Sequence, residues 1–184
     1  MKRILVPTDF SEQAENALKV AAQLAKKNES EIYVLNSLEL PTHLSSSGAN
    51  GAMPESLFFI KLAEKYFEEL LEKPYLEGLL IHEAIIGHGE VYKDVNEVVK
   101  EKNIDLVIMG SQGTNGFMEL FIGSNTEKVV RTSEIPVLVI KNNHEDFKTD
   151  NFVYATDFSE ECKIPFNQAK KFAEETNTCL LYTS

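Results

Sequence analysis

Five short apolar runs, at residues 3–8, 31–36, 79–86, 104–109 and 137–141, alternate with stretches whose apolar residues recur at helical spacing. The first run centres on Ile4-Leu5-Val6 and shows no polar alternation, the pattern of a strand buried on both faces. Ser11 suits the cap of the segment that follows, in which Ala14, Ala17, Leu18, Ala21, Leu24 and Ala25 share one face. A second periodic segment runs from Pro54 to about residue 73 through Leu57, Phe58, Ala63, Phe67, Leu70 and Leu71. A third carries Val91, Val95, Val98 and Val99, and a fourth runs from Ser124 to about residue 133. Strand and helix in alternation predict right-handed crossovers and an α/β, doubly wound, Rossmann-like sheet of five parallel strands with helices on both faces. Residues 38–54 break the rhythm with Pro41, Pro54, Gly48, Gly51 and a Ser45-Ser46-Ser47 run, and predict a flexible flap.

The stretch leaving the fourth run is where chemistry concentrates. Gly110, Gly113 and Gly123 all fall between one strand and the next helix, where a missing Cβ lets backbone approach a ligand and permits positive φ. Ser124 opens the following helix, whose first amides are unpaired donors at the positive end of its dipole. A capping box of Ser124 and Glu127 would account for those two residues but not for the spaced glycines. No Gly-x-x-x-x-Gly-Lys-Ser/Thr occurs, and Gly87-His88-Gly89 lacks the third glycine of a dinucleotide fingerprint. In a doubly wound sheet the ligand crevice opens past the strand ends where connections diverge. Neighbouring first and fourth strands would therefore place Pro7-Thr8-Asp9 beside the glycine loop. Asp9 there is either a hydrogen-bond acceptor for a ribose, a base amine or a metal-bound water, or a helix-entry carboxylate.

Net charge decides what else can bind. Among 184 residues, 18 Lys and Arg stand against 29 Asp and Glu, for a net charge of -11. That excess opposes sequence-independent contact with nucleic acid or anionic membrane. A nucleotide would then be held by local amides together with a divalent cation. Cys162 and Cys179 read as packed free thiols, consistent with a reducing cytoplasm, and no run has the length of a membrane span or the form of a signal peptide. His43, His82, His88 and His144 lack partners at metal-ligand spacing. Phe117 and Phe121 read as anchors of the glycine loop.

After a polar linker at 142–151 the opening unit recurs. Thr156-Asp157-Phe158-Ser159-Glu160 is identical to Thr8-Asp9-Phe10-Ser11-Glu12, and Ala169 and Ala173 stand where Ala21 and Ala25 stood. Residues 152–184 thus read as the strand-helix-strand opening of a second domain after a first at 1–141. An unfinished sheet exposes strand edges and an apolar face. The expectation is a truncated piece of a tandem protein, its terminal segment poorly ordered or packed on another copy by exchange.

The pattern Gly-x2-Gly-x9-Gly-Ser, met by Gly110, Gly113, Gly123 and Ser124, resembles the ATP-binding loop of the universal stress protein (UspA-like) family. Residues 4–11, 105–110 and 135–140 also resemble that family. The resemblance implies a five-stranded α/β sandwich and homodimerisation through the last strand (Val137, Leu138, Val139, Ile140). It implies ATP, AMP or ADP, with Mg held through the phosphates. Gly113, Gly123, Ser124 and Asn125 would hold phosphates and Gly110 would lie near the ribose. Pro7, Thr8 and Asp9 would border base and ribose, Ser37 would contact adenine, and Met109, Gln112 and Thr126 would complete the site. The family often has Val or Ile where Ser37 stands, and Arg or His where Gln112 stands.

Three functions remain open on the residues alone: an ATP-binding stress-response regulator, a slow ATPase, and an interaction module with a vestigial nucleotide site. Phosphoryl transfer needs a positioned base and charge compensation. The loop offers only Gln112, with Lys128 and Arg131 further on in the helix, so slow hydrolysis is the most this set supports.

Overall fold

A computed structural model describes residues 1–38, 52–87, 89–111 and 123–183. Its first unit runs β1 (Arg3–Pro7), α1 (Glu12–Asn28), β2 (Glu31–Leu38), α2 (Ala52–Leu71), a 3-10 turn (Pro74–Leu76), β3 (Ile81–Gly87), α3 (Val91–Lys102), β4 (Leu106–Gly110), α4 (Ser124–Thr132) and β5 (Val137–Ile140). All five strands are parallel in the order β3-β2-β1-β4-β5. The central strand β1 pairs Arg3 with Glu31 on one side and Ile4 with Leu106 on the other. Connections therefore diverge between β1 and β4, and the predicted crevice lies at that switch point.

Two cores flank the sheet. Ile4, Val6, Leu18, Ala21, Val34, Phe67, Leu70 and Ile108 pack with α1 and α2 on one face. Leu5, Leu35, Val95, Val98, Val107 and Val129 pack with α3 and α4 on the other. The uninterrupted apolar centres of β1 and β4 follow from this arrangement, because Ile4, Val6 and Ile108 face one core while Leu5 and Val107 face the other. The alanines of α1 are almost fully buried, which lets that helix lie close to the sheet.

Boundaries shift where local chemistry overrides periodicity. Helix α2 starts at Ala52, ahead of Pro54, because proline is tolerated in a first turn whose N–H groups need no helical partner. It stops at Leu71, and Pro74 opens the 3-10 turn instead. The predicted flap at 38–54 lies mostly outside the described residues.

Residues 151–183 form β6 (Asn151–Ala155), a 3-10 turn (Glu160–Cys162), α5 (Lys163–Thr176) and β7 (Cys179–Thr183). Strands β6 and β7 make a separate parallel pair. Asn151 pairs with Cys179, the same register as Arg3 with Glu31 in the first unit. Both Cys162 and Cys179 are free thiols. The unit docks through α5: Phe172 packs against the first core, the Met1 amino group pairs with Glu175, and Lys27 Nζ donates to the Thr176 carbonyl at 3.0 Å. Gln168 Nε2 donates to the Glu134 carbonyl at 3.2 Å. Val153, Leu181 and Tyr182 are exposed, so apolar strand faces stay uncovered in one chain. The segment read as a linker is pinned rather than free. Gln23 Nε2 donates to the His144 carbonyl and Gln23 Oε1 accepts from the Phe147 N–H, at 3.0 and 2.7 Å.

Candidate functional site

The end of β1 is held in a compact loop by its own side chains. Thr8 Oγ1 accepts from the Phe10 N–H and Asp9 Oδ1 from the Ser11 N–H, both at 3.0 Å. Phe10 adopts φ of 61°, and Ser11 Oγ accepts from the Ala14 N–H to cap α1. Asp9 is therefore the helix-entry carboxylate through one oxygen while its exposed side chain faces the crevice. Thr8 is spent on scaffolding, since its N–H donates to the Leu35 carbonyl and its own carbonyl accepts from Asn36 Nδ2 at 2.8 Å.

Strand β2 contributes by alternation. Leu35 and Ser37 line the crevice, while Asn36, between them, holds the β1 exit. Ser37 Oγ is buried and has no hydrogen-bond partner among the described residues, an unusual condition for a hydroxyl at the wall of an open crevice. Asn36 is absent from the predicted site, because a single polar residue within an apolar strand leaves no periodic mark.

From β4, Met109 and Gly110 form the floor. Gly110 is required for a reason other than ligand approach. A Cβ there would lie 2.5 Å from the Gln13 carbonyl oxygen and 3.1 Å from Ala14 N, so the missing methyl admits the first turn of α1. Neither Gly110 nor Gly123 uses the positive φ expected of it; Gly123 has φ of -57°. Ser111 donates its N–H to the Ile140 carbonyl at 2.9 Å, so that amide belongs to the sheet and not to a ligand.

Gly123, not Ser124, is the cap residue of α4, and it brings no side chain to cap the helix. The capping box is replaced by other contacts: Glu127 pairs with Arg131 at 3.0 Å, and Thr126 Oγ1 donates to the Gly110 carbonyl at 3.0 Å. This last bond ties the start of α4 to the end of β4 across the loop. Gly123, Asn125 and Thr126 line the crevice, whereas Ser124 is exposed and does not. Gln112 and Gly113, like Phe117 and Phe121, lie outside the described residues.

Pro7, Thr8, Asp9, Ser37, Met109, Gly110, Gly123, Asn125 and Thr126 thus surround one cavity, joined by Ser11, Gln13, Ala14, Leu35 and Val91. Val91 arrives from the start of α3. The cavity is open to solvent on one side, with a volume of about 110 Å³. Among the described residues no three His, Cys, Asp or Glu side chains converge as a metal site, and no helix is long and apolar enough to cross a membrane.

Comparison with known proteins agrees with this architecture. The universal stress protein family model matches residues 1–141. Universal stress protein MJ0577 of Methanocaldococcus jannaschii is 34% identical over 159 residues, covering 78% of this chain and 96% of that protein. The solved MJ0577 structure matches with a TM-score of 0.66 and 27% identity over 78% of this chain and 98% of that one. A universal stress protein solved in complex with cAMP shares the fold at a TM-score of 0.54 and 18% identity, over 76% of this chain and 96% of its own. By its matched family model, its sequence relatives and its five-stranded doubly wound sheet, the chain belongs to the universal stress protein family.

Proposed function

We propose that the chain is an adenine-nucleotide-binding regulator of the stress response, taking ATP, or its AMP or ADP products, with Mg bound through the phosphates. One observation carries the reading: the crevice at the β1–β4 switch point holds a buried hydroxyl, Ser37 Oγ, with no partner among the described residues. A base edge reaching that hydroxyl satisfies it. Asp9 offers its remaining oxygen to ribose hydroxyls, and the uncapped start of α4 at Gly123, Ser124 and Asn125 offers amides to phosphate. Gly113 and Gln112 belong to the same loop and complete the phosphate side. That another member of the family has been solved with cAMP is consistent with an adenine ligand at this fold.

Bound nucleotide would act by altering partner contacts. One such contact is a homodimer through β5, an edge strand whose Val137, Leu138 and Val139 are only half-buried. The protein as isolated is expected to melt later with Mg-ATP. At about a hundred times the dissociation constant the gain is roughly 2.7 kcal/mol. No shift with millimolar Mg-ATP, ADP or AMP, together with no nucleotide in the mass spectrum of small molecules released from the protein, would remove the proposal.

A further inference from the structure

Lys128 stands beyond the glycine loop in sequence, yet the fold returns its charge to the crevice. It lies in the second turn of α4, three residues after Asn125 and so on nearly the same face of the helix. Helical side chains lean back over the turn before them, which directs the Lys128 stem toward the start of α4. Its Nζ ends 3.7 Å from Glu90 Oε1. Glu90 is the cap residue of α3, directly before Val91, and both Val91 and Asn125 belong to the cavity wall. The ammonium group is thus held at the rim, between the starts of two helices.

A cation is out of place there, because a lysine is favoured at the opposite end of a helix dipole. One carboxylate offsets the placement, and it is shared. Glu90 Oε2 pairs with Lys93 at 3.2 Å while Oε1 takes Lys128, and both ammonium groups lie 5.7 Å from the centre of the Tyr92 ring. The nearby acids do not add to this: Asp94 is buried, and Glu127 is engaged by Arg131. Glu90 and Lys128 are each half exposed, and an exposed pair at this distance is weakly held. If Lys128 moves away, Glu90 keeps Lys93 and a hydrogen bond from Tyr92. Moving it therefore strands no charge.

We propose that Lys128 is a specificity-determining residue of the crevice, exchanging Glu90 for the outer phosphates of a bound ATP and so distinguishing polyphosphate from monophosphate nucleotides. Gly123 and Asn125 are in the cavity wall and Lys128 is not, so an inner phosphate meets the amides at the start of α4 and only a longer phosphate chain reaches the ammonium. The inference rests on the adenine-nucleotide reading. It supplies from α4 the charge compensation that Gln112 cannot.

Calorimetric titration of the full chain with Mg-ATP and with AMP tests it. Lys128→Met keeps the aliphatic stem and the helix while removing the charge. It is expected to weaken ATP binding about tenfold or more, the scale of a hydrogen bond to a charged group, and to leave AMP within about twofold. Unchanged AMP binding also shows that the variant is folded. Lys128→Arg, which keeps the charge, is expected to retain most of the preference for ATP. An equal loss for both ligands overturns the proposal, as does an ATP affinity indifferent to Lys128→Met or a loss that follows Lys93→Met instead; each of these leaves the nucleotide reading standing. A wild-type protein that binds neither ligand overturns both. Glu90→Gln frees the lysine and is expected to tighten ATP about threefold, the scale of an exposed ion pair. A gain of the same size in the Lys128→Met background would assign it to relieved repulsion and overturn the exchange.

Discussion

At Gly110 the volume a methyl group would need is already taken by main-chain atoms of α1, which cannot swing aside as a side chain could. Gly110→Ala is expected to destabilise the protein by about 1–3 kcal/mol, the usual cost of overpacking, read as a lower urea midpoint at unchanged slope. Ser37 poses the opposite case, a buried polar atom with no partner among the described residues. Under the proposed function Ser37→Ala should leave the fold intact and weaken adenine nucleotide binding severalfold, measured by calorimetry; unchanged affinity would take Ser37 out of the site. Asp157 gives a pH signature. The Ser159 N–H and then the Cys162 thiol hydrogen-bond its carboxylate, lowering its pKa from 3.8 to about 2. Because the folded value is the lower one, this group's contribution to stability is fully present above pH 3.8 and disappears as pH falls through about 2. A carboxyl titration by NMR should place Asp157 well below ordinary aspartates, and Cys162→Ala should move it back up.

Among the elements, α1 shows most directly how local chemistry fixes the site. Ser11 caps it, and the turn before it presents Asp9. Ser11→Ala is expected to cost about 1 kcal/mol in chemical denaturation. Strand and helix identities were legible in the sequence because each carries an uninterrupted apolar run or a helical stripe of Ala, Val or Leu. The Thr8-Asp9-Phe10-Ser11 repeat was legible too, as identical residues at both places. Less legible was the reason for Gly110. A glycine after a strand reads equally as room for a ligand or room for a helix, and only the packing of α1 on β4 separates them. Likewise Ser124 and Glu127 carry a capping signature, yet Gly123 stands at the cap and Thr126 ties α4 back to Gly110. Asn36 left no periodic trace, since one buried amide within an apolar strand changes neither alternation nor length.

For the molecule as a whole, the first unit carries both cores and the crevice, while the second adds one helix face and leaves its own strand faces open. We therefore expect residues 1–150, which keep Phe147 on the core, to fold cooperatively on their own; a broad, non-cooperative melt of that fragment would show that α5 is integral. The identical registers of β1 with β2 and of β6 with β7 have a kinetic side. During synthesis β1, α1 and β2 leave the ribosome well before their later likeness exists, so β4 meets a single claimant for its edge. Refolding from denaturant offers two claimants at once, and chains that choose β6 must back out before β1 can enter. Recovery after dilution should consequently be slower and less complete than the yield of fresh translation, and should improve when the later claimant is removed.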